Sequence, residues 1–429
     1  MDLSILTVMT KIKSFIMLDL LANIDNSKQL EKLYRDNKTA FKREFNLLYP
    51  TLTDNKVADY WHERLNYESS EISWGSSKEL TFVIIASLVA GTIAKLPVLL
   101  NINPEFFYQR NIGFIIFPAL TAYFIWKQSL SLKKIVFAGA AFLITLIFIN
   151  LLPADNKSDT LILSCIHLPL LLWSVLGFSY VGDNIRSHSK RLDFLRYNGD
   201  LVIMDGLLVI AGGILTGITI GLFSVIGFDI KEFYFDYIVI AGGAALPIVA
   251  TYITQTNPQL VNKISPVIAK IFSPLVLLTL VVYLIAILFS GKDPYKDRDF
   301  LMIFNFLLIG VMAIILFSVA ETFKKSENRI NSFFLSALSI VTVIVNGIAL
   351  SAILFRISEW GITPNRLAVL GGNILMLINL LIVTFKLIKN ISKKTDLSEV
   401  ENAISMFLPV YILWTIIVTF IFPLIFHFK

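Results

Sequence analysis

From Leu80 to the end of the chain, apolar stretches of about 20 residues recur with short polar runs between them. That is the length a helix needs to cross the hydrocarbon core of a bilayer. The stretches do not alternate polar with apolar, and they are about twice the roughly ten residues of a barrel strand. In hydrocarbon the backbone must satisfy its own polar groups, so the pattern predicts helices. Eleven spans are expected, at about 80–100, 112–126, 135–152, 160–182, 201–227, 236–254, 271–290, 300–323, 332–355, 367–388 and 403–426. The second is short and interrupted by Pro118.

Residues 1–79 read differently, with eleven Lys/Arg and twelve Asp/Glu, the balance of a soluble segment. Polar Ser4, Thr7, Lys11 and Ser14 recur every three or four positions, with Ile5, Val8, Met9, Ile12, Phe15 and Ile16 mostly between and just beyond them. This predicts an amphipathic helix, lying on the inner membrane surface or packed within the head. A second helical pattern runs through Leu30, Leu33, Tyr34, Phe41, Phe45 and Leu48 to Pro50, and a third covers Asp54 to Leu65. The expected architecture is all-α. A small helical head occupies residues 1–79, and a polytopic transmembrane bundle occupies residues 80–429.

Composition agrees, with 56% hydrophobic residues, 16% charged and a mean hydropathy of +0.73. The net charge of +6 calls for no nucleic acid, because most of it falls in short loops. With the head cytoplasmic, the inner loops carry sixteen basic residues. They are Lys127, Lys133 and Lys134; Arg186, Lys190, Arg191 and Arg196; Lys263 and Lys270; Lys324, Lys325 and Arg329; Lys386, Lys389, Lys393 and Lys394. Nine lie in the outer segments, Arg110 among them. This bias predicts an internal N-terminus and an external C-terminus. The run from Arg186 to Arg196 is also a candidate contact for anionic lipid, and the head a candidate surface for a protein partner. The only cysteine, Cys165, sits inside a span, so neither an internal disulfide nor a cysteine metal site is expected. Asp2 without a basic stretch ahead of the first apolar residues argues against a cleaved signal peptide.

Four ionisable residues fall inside or at the edge of spans: Lys95, His167, Asp205 and Glu321. A charge at mid-membrane costs about 2.5–3.5 kcal/mol on insertion scales, so such groups face protein or water. They read either as interfacial pairs and a snorkelling lysine or as parts of a polar pathway or proton relay. Gly213, Gly217 and Gly221 are spaced by four on the fifth span, and the sixth carries Ala241-Gly242-Gly243-Ala244-Ala245. That spacing predicts close packing of these two helices, with a hinge as the functional alternative. A weaker ridge on the first span is formed by Ala86, Ala90 and Ala94.

The loop from Arg356 to Arg366 is dense in hydrogen-bonding groups. Gly361 suits a tight turn, Thr363 a helix cap and Pro364 a first helical turn. Arg356, Glu359 and Arg366 are the candidate ligand-binding residues: one arginine neutralises the glutamate, leaving the other for a phosphate or carboxylate. Asn305, Asn346 and Asn373 are expected to edge the same outer pocket. A structural salt bridge with interhelical amide bonds is the alternative. The loop 291–299 has three carboxylates interleaved with three basic residues, which opposes a divalent cation. No nucleotide-binding, zinc-protease or serine-hydrolase motif occurs, and the sequence offers no catalytic residue, metal ligand or cofactor to name.

Arg356, Trp360-Gly361-Ile362-Thr363 and Arg366 resemble the R-x-x-x-[YW]-G-[LI]-T-x-x-R signature of a widespread, functionally unassigned family of bacterial multi-pass membrane proteins. Gly291-Lys292-Asp293-Pro294 and Tyr60-Trp61-His62-Glu63-Arg64-Leu65-Asn66 are similar to its Bacteroidetes-like members. The resemblance implies a bacterial inner-membrane location and brings no activity with it. Many spans, charges within spans, glycine-rich helices and a polar outer loop together suggest a transporter or permease for an uncharged or anionic solute. Two other classes stay open: a membrane scaffold recruiting a partner through its head, and a lipid-modifying enzyme using Arg356, Glu359 and Arg366.

Overall fold

The computed structural model describes residues 20–36, 38–52, 55–66, 75–153, 155, 157–225, 229–260, 295, 298–322, 329–391 and 397–428, and parts of 273–285. The predicted amphipathic helix at residues 4–16 lies outside them, as do half of the seventh span and most of the loop 291–299. Every regular element among the described residues is helical. The chain divides into two compact units, Met1–Ile72 and Ser73–Lys429.

In the first unit, α1 (Ser27–Asp36), α2 (Lys38–Leu48) and α3 (Lys56–Asn66) enclose Leu20, Leu30, Phe41, Phe45, Leu48, Ala58, Trp61 and Leu65. The rings of Tyr34 and Trp61 meet at 5.6 Å, and those of Phe41 and Trp61 at 5.0 Å. The helical pattern expected through Leu30 to Leu48 is two helices here, and a one-turn helix containing Pro50 follows. Asn55 starts α3 by accepting from the Val57 and Ala58 amides at 2.9 and 3.0 Å, which satisfies two first-turn donors.

The second unit is a membrane-embedded bundle. Its main helices are α4 (Ser77–Ala94), α5 (Pro104–Gln128), α6 (Leu132–Leu151), α7 (Asp159–Val181) and α8 (His188–Val225), then α9 (Ile240–Thr256), α10 (Arg298–Thr322), α11 (Arg329–Trp360), α12 (Pro364–Ile391) and α13 (Leu397–Ile416). Among the described residues, eight helices are long and apolar enough to cross a membrane. Three expected spans fall outside that set. The second lies within α5, which is 25 residues long. The eighth is α10, whose described apolar part is Leu308–Ala320. The seventh, 271–290, is described only in part.

Contacts between helix ends define the up-and-down order. At one end, here the basic end, Lys127 meets Glu79 at 3.2 Å, Lys134 donates to the Gly182 carbonyl at 2.7 Å, and Lys386 pairs with Glu399. At the opposite end Arg110 reaches the Ile149 and Pro153 carbonyls, and Ser158 donates to the Phe428 carbonyl at 2.8 Å.

Several boundaries differ from the sequence expectation for identifiable reasons. The first span stops at Ala94 rather than about residue 100, because Pro97 has no N–H to donate to the helix; a one-turn helix, Leu96–Leu99, follows. Arg110, expected in a loop, is inside α5 and is the largest fully buried side chain. The basic segment from Lys190 to Arg196 is not a loop either but the first turns of α8. Helices α9 and α13 each adjoin a π-helical turn, Tyr234–Val239 before α9 and Ile417–Ile421 after α13.

The glycines expected to bring α8 and α9 together do not lie at their contact. Among the described residues, no atom comes within 4 Å of a Cβ built on Gly213, Gly217, Gly221, Gly242 or Gly243. The close approach is between α4 and α9, where a Cβ on Gly91 would sit 3.3 Å from that of Ala241. Ala90 and Ala94, from the weaker ridge, are buried on α4. Helices α8 and α9 do meet, but nearer the basic end, where the Tyr197 and Thr251 hydroxyls lie 2.8 Å apart.

Candidate functional site

The largest hydrophobic core of the bundle collects Leu308, Ile315 and Val319 of α10, Leu338, Val345 and Ala352 of α11, and Leu380, Val383 and Leu387 of α12. A row of polar side chains runs through the same region. On α11, Ser332, Ser336, Ser339, Thr342 and Asn346 are all buried. Their spacing of four, three, three and four keeps them on one face of the helix. The row covers about 21 Å at 1.5 Å per residue. Asn346, Ser339 and Thr342 have no exposed surface at all.

Two donors in this row, those of Ser339 and Thr342, turn inward on their own helix. Ser339 donates to the Ser336 carbonyl at 2.9 Å and Thr342 to the Leu338 carbonyl at 2.6 Å. A hydroxyl satisfied in this way directs its acceptor lone pairs away from the helix. Asn346 differs, because neither its amide nitrogen nor its amide oxygen has a hydrogen-bond partner. It lies near the middle of the 32-residue α11. Ser336 Oγ and, on α12, Asn379 Oδ1 and Thr384 Oγ1 are also buried without partners. A buried polar group left unpaired costs roughly 1–3 kcal/mol, so orphaned atoms in one region mark a place shaped for something polar.

The other two asparagines of the expected pocket bond to each other: Asn373 Nδ2 donates to Asn305 Oδ1 at 2.9 Å and so ties α12 to α10. Asn379 Nδ2 donates to the Tyr411 hydroxyl of α13 at 2.9 Å. These amide bonds link α10, α12 and α13 without a charged side chain, and α10 and α12 are helices packed on α11.

The Arg356–Arg366 loop is arranged differently from the pairing expected of it. Arg366 Nη1 donates to the Trp360 and Gly361 carbonyls, both at 2.7 Å, and closes the end of α11. Arg356 Nε donates to the Tyr295 carbonyl at 3.0 Å. Both guanidiniums flank the Trp360 ring, at 5.5 and 5.7 Å from its centre. Glu359 is exposed and pairs with neither arginine. Gly361, at φ +76°, takes the left-handed conformation that a helix end requires and only glycine adopts freely.

Among the intramembrane ionisable residues, Lys95 places its ammonium 4.5 Å from the centre of the Tyr237 ring, at the point where α4 breaks. His167 Nδ1 lies 2.9 Å from the Leu163 carbonyl of its own helix. Asp205 is partly buried, and its Oδ1 is shut off from solvent without a partner. Glu321 is in the last turn of α10, and its side chain lies outside the described residues. Of the basic residues expected at anionic lipid, Arg196 is held by the Ala320 carbonyl, Asp193 and Glu401 at 2.7, 3.0 and 2.8 Å. Arg191 donates to the Ile185 and Ser405 carbonyls, Lys190 lies 4.0 Å from Asp193, and Arg186 is exposed.

Sequence reasoning picked out Asn346 but missed its companions Ser332, Ser336, Ser339 and Thr342. The signal was present, as a helical periodicity of hydroxyls within an otherwise apolar stretch. It also missed Arg110, because α5 begins earlier than the apolar run within it. No family model, curated protein or solved structure matches this chain.

Proposed function

We propose that this protein is a transporter or permease and that its solute passes along the polar row of α11. The observation that carries this reading is Asn346, an amide at mid-helix with no exposed surface and both hydrogen-bonding atoms unpaired. A purely structural asparagine in a membrane core bonds across helices, as Asn373 and Asn379 do here. The row offers the acceptor lone pairs of Ser339 and Thr342, the unpaired Ser336 hydroxyl, and one amide that both donates and accepts. It holds no cation or carboxylate. That chemistry suits an uncharged solute that both donates and accepts, such as a polyol or an amide, better than an anion. The wider reading is an eleven-span bundle in a bacterial inner membrane with the head inside. It is supported by the basic residues gathered at one end of the helices and by the resemblance of the loop signature.

The test uses the chain's single cysteine. With Cys165→Ser as background, Asn346→Cys in reconstituted protein is expected to react with a small, charged, water-soluble thiol reagent, since a solute path must admit water. A fully unreactive thiol in folded protein would overturn the proposal. Asn346→Leu then separates the roles. It is expected to abolish flux of uncharged polar solutes in a liposome-swelling assay. A raised melting temperature with no change in any flux would instead show a dry core.

A further inference from the structure

We infer that Asp205 is a proton-binding site within the membrane and that, on the transport reading above, it supplies the coupling ion. The residue lies on α8 four positions beyond Leu201, where the apolar run of that helix begins. Its Oδ1 is buried, and no donor or cation meets it. Among the described residues, the helices packed against α8 are α7, α9, α10 and α13. Helix α9 carries no charged residue from Ile240 to Thr256, and α10 none from Phe300 to Ala320. Glu321 follows at the end of α10. Helix α13 has none from Asn402 to Ile416; its Glu401 is held by Arg196 and the nearby Glu399 by Lys386. On α7 from Thr160 to Val181 the only such group is His167, bonded within its own helix.

Along α8 itself, Arg196 is fully engaged at the basic end, and the Tyr197 hydroxyl is taken by Thr251. Asp200, five residues before it, is the nearest carboxylate in sequence and has an interaction of its own. Tyr252 of α9 and Tyr180 of α7 are the remaining titratable groups at that end. An ionised carboxylate in this setting has no counter-ion and one oxygen shut off from solvent. A protonated one is neutral and needs neither. Binding and release of a proton therefore changes the charge carried by α8, a helix that packs on α10, which bears Asn305. Gly199 marks how tightly α8 and α10 pack: a Cβ there would fall 1.9 Å from the Phe317 ring.

The experiment is labelling of the reconstituted full chain with dicyclohexylcarbodiimide, which partitions into lipid and reacts with protonated carboxyl groups, read by mass spectrometry. An adduct at Asp205 is expected, its yield falling as pH rises, and lost in Asp205→Asn, an isostere of the protonated form that should fold normally. Asp205→Glu should restore labelling. No adduct at Asp205 at any pH, or modification only by a water-soluble carbodiimide with an added amine, would overturn the inference. An adduct together with an unreactive cysteine at position 346 would leave the proton site standing and remove the transport reading.

Discussion

Arg366 donates one nitrogen to two carbonyls, and this is the chemistry of a helix end rather than of a vacant anion site. The last carbonyls of a helix have no partner within it, and a guanidinium there both bonds them and opposes the negative end of the helix dipole. Arg366→Ala is therefore expected to lower the stability of the α11–α12 corner by roughly 1–2 kcal/mol, read as a lower melting temperature in detergent. Arg366→Lys should recover part of it, since one ammonium reaches the same oxygens. Unchanged melting in Arg366→Ala would show that the cap contributes nothing. In the head, Glu31 is held below the usual carboxylate range, first by its hydrogen bond from Arg35 at 2.8 Å and further by Arg64. A depressed carboxyl stabilises the fold above its unfolded pKa, and that contribution is lost as pH falls through the folded value. Hydrogen exchange of peptides from residues 27–66 in the full chain should show protection falling on acidification. Comparison with Glu31→Gln at each pH isolates the carboxyl, and identical profiles would remove it as the cause.

Glycines at the scale of the helix divide into two kinds that sequence spacing does not separate. Gly217 faces open space among the described residues, whereas a Cβ on Gly371 would lie 2.1 Å from the Trp414 ring. Overpacking of this sort costs about 1–3 kcal/mol or more. Gly371→Ala is thus expected to reduce yield and melting temperature, while Gly217→Leu leaves both unchanged. The reverse order would contradict the arrangement of α8, α12 and α13. The close α4–α9 contact has the same origin, with Gly91 meeting Ala241 because neither side chain holds the backbones apart.

For the whole molecule, the gathering of basic residues at one end sets the expected orientation. In the Cys165→Ser background, a cysteine at position 295 should react with an impermeant reagent from outside the cell, and one at position 190 only after permeabilisation. The opposite pattern would invert the topology. Lys190 and Tyr295 suit the experiment because they lie at opposite ends of the bundle, Lys190 in the first turn of α8 and Tyr295 bonded to Arg356 at the far end of α11.

Hydrophobic patterning by itself determined that this chain is an all-α membrane protein, and it located most of its helices, because a bilayer demands long apolar stretches whatever they pack against. It marked Asn346 as a polar residue in a span, and the capping chemistry of Gly361 and Thr363. Periodicity along one helix says nothing of what faces it, so the partner of each small-residue face, the burial of Arg110 and the role of Arg366 were decided only in three dimensions. The same limit applies to polar groups. Asn305, Asn346 and Asn373 look alike in sequence, and only the tertiary packing pairs two of them and leaves the amide of the third unbonded at the centre of α11.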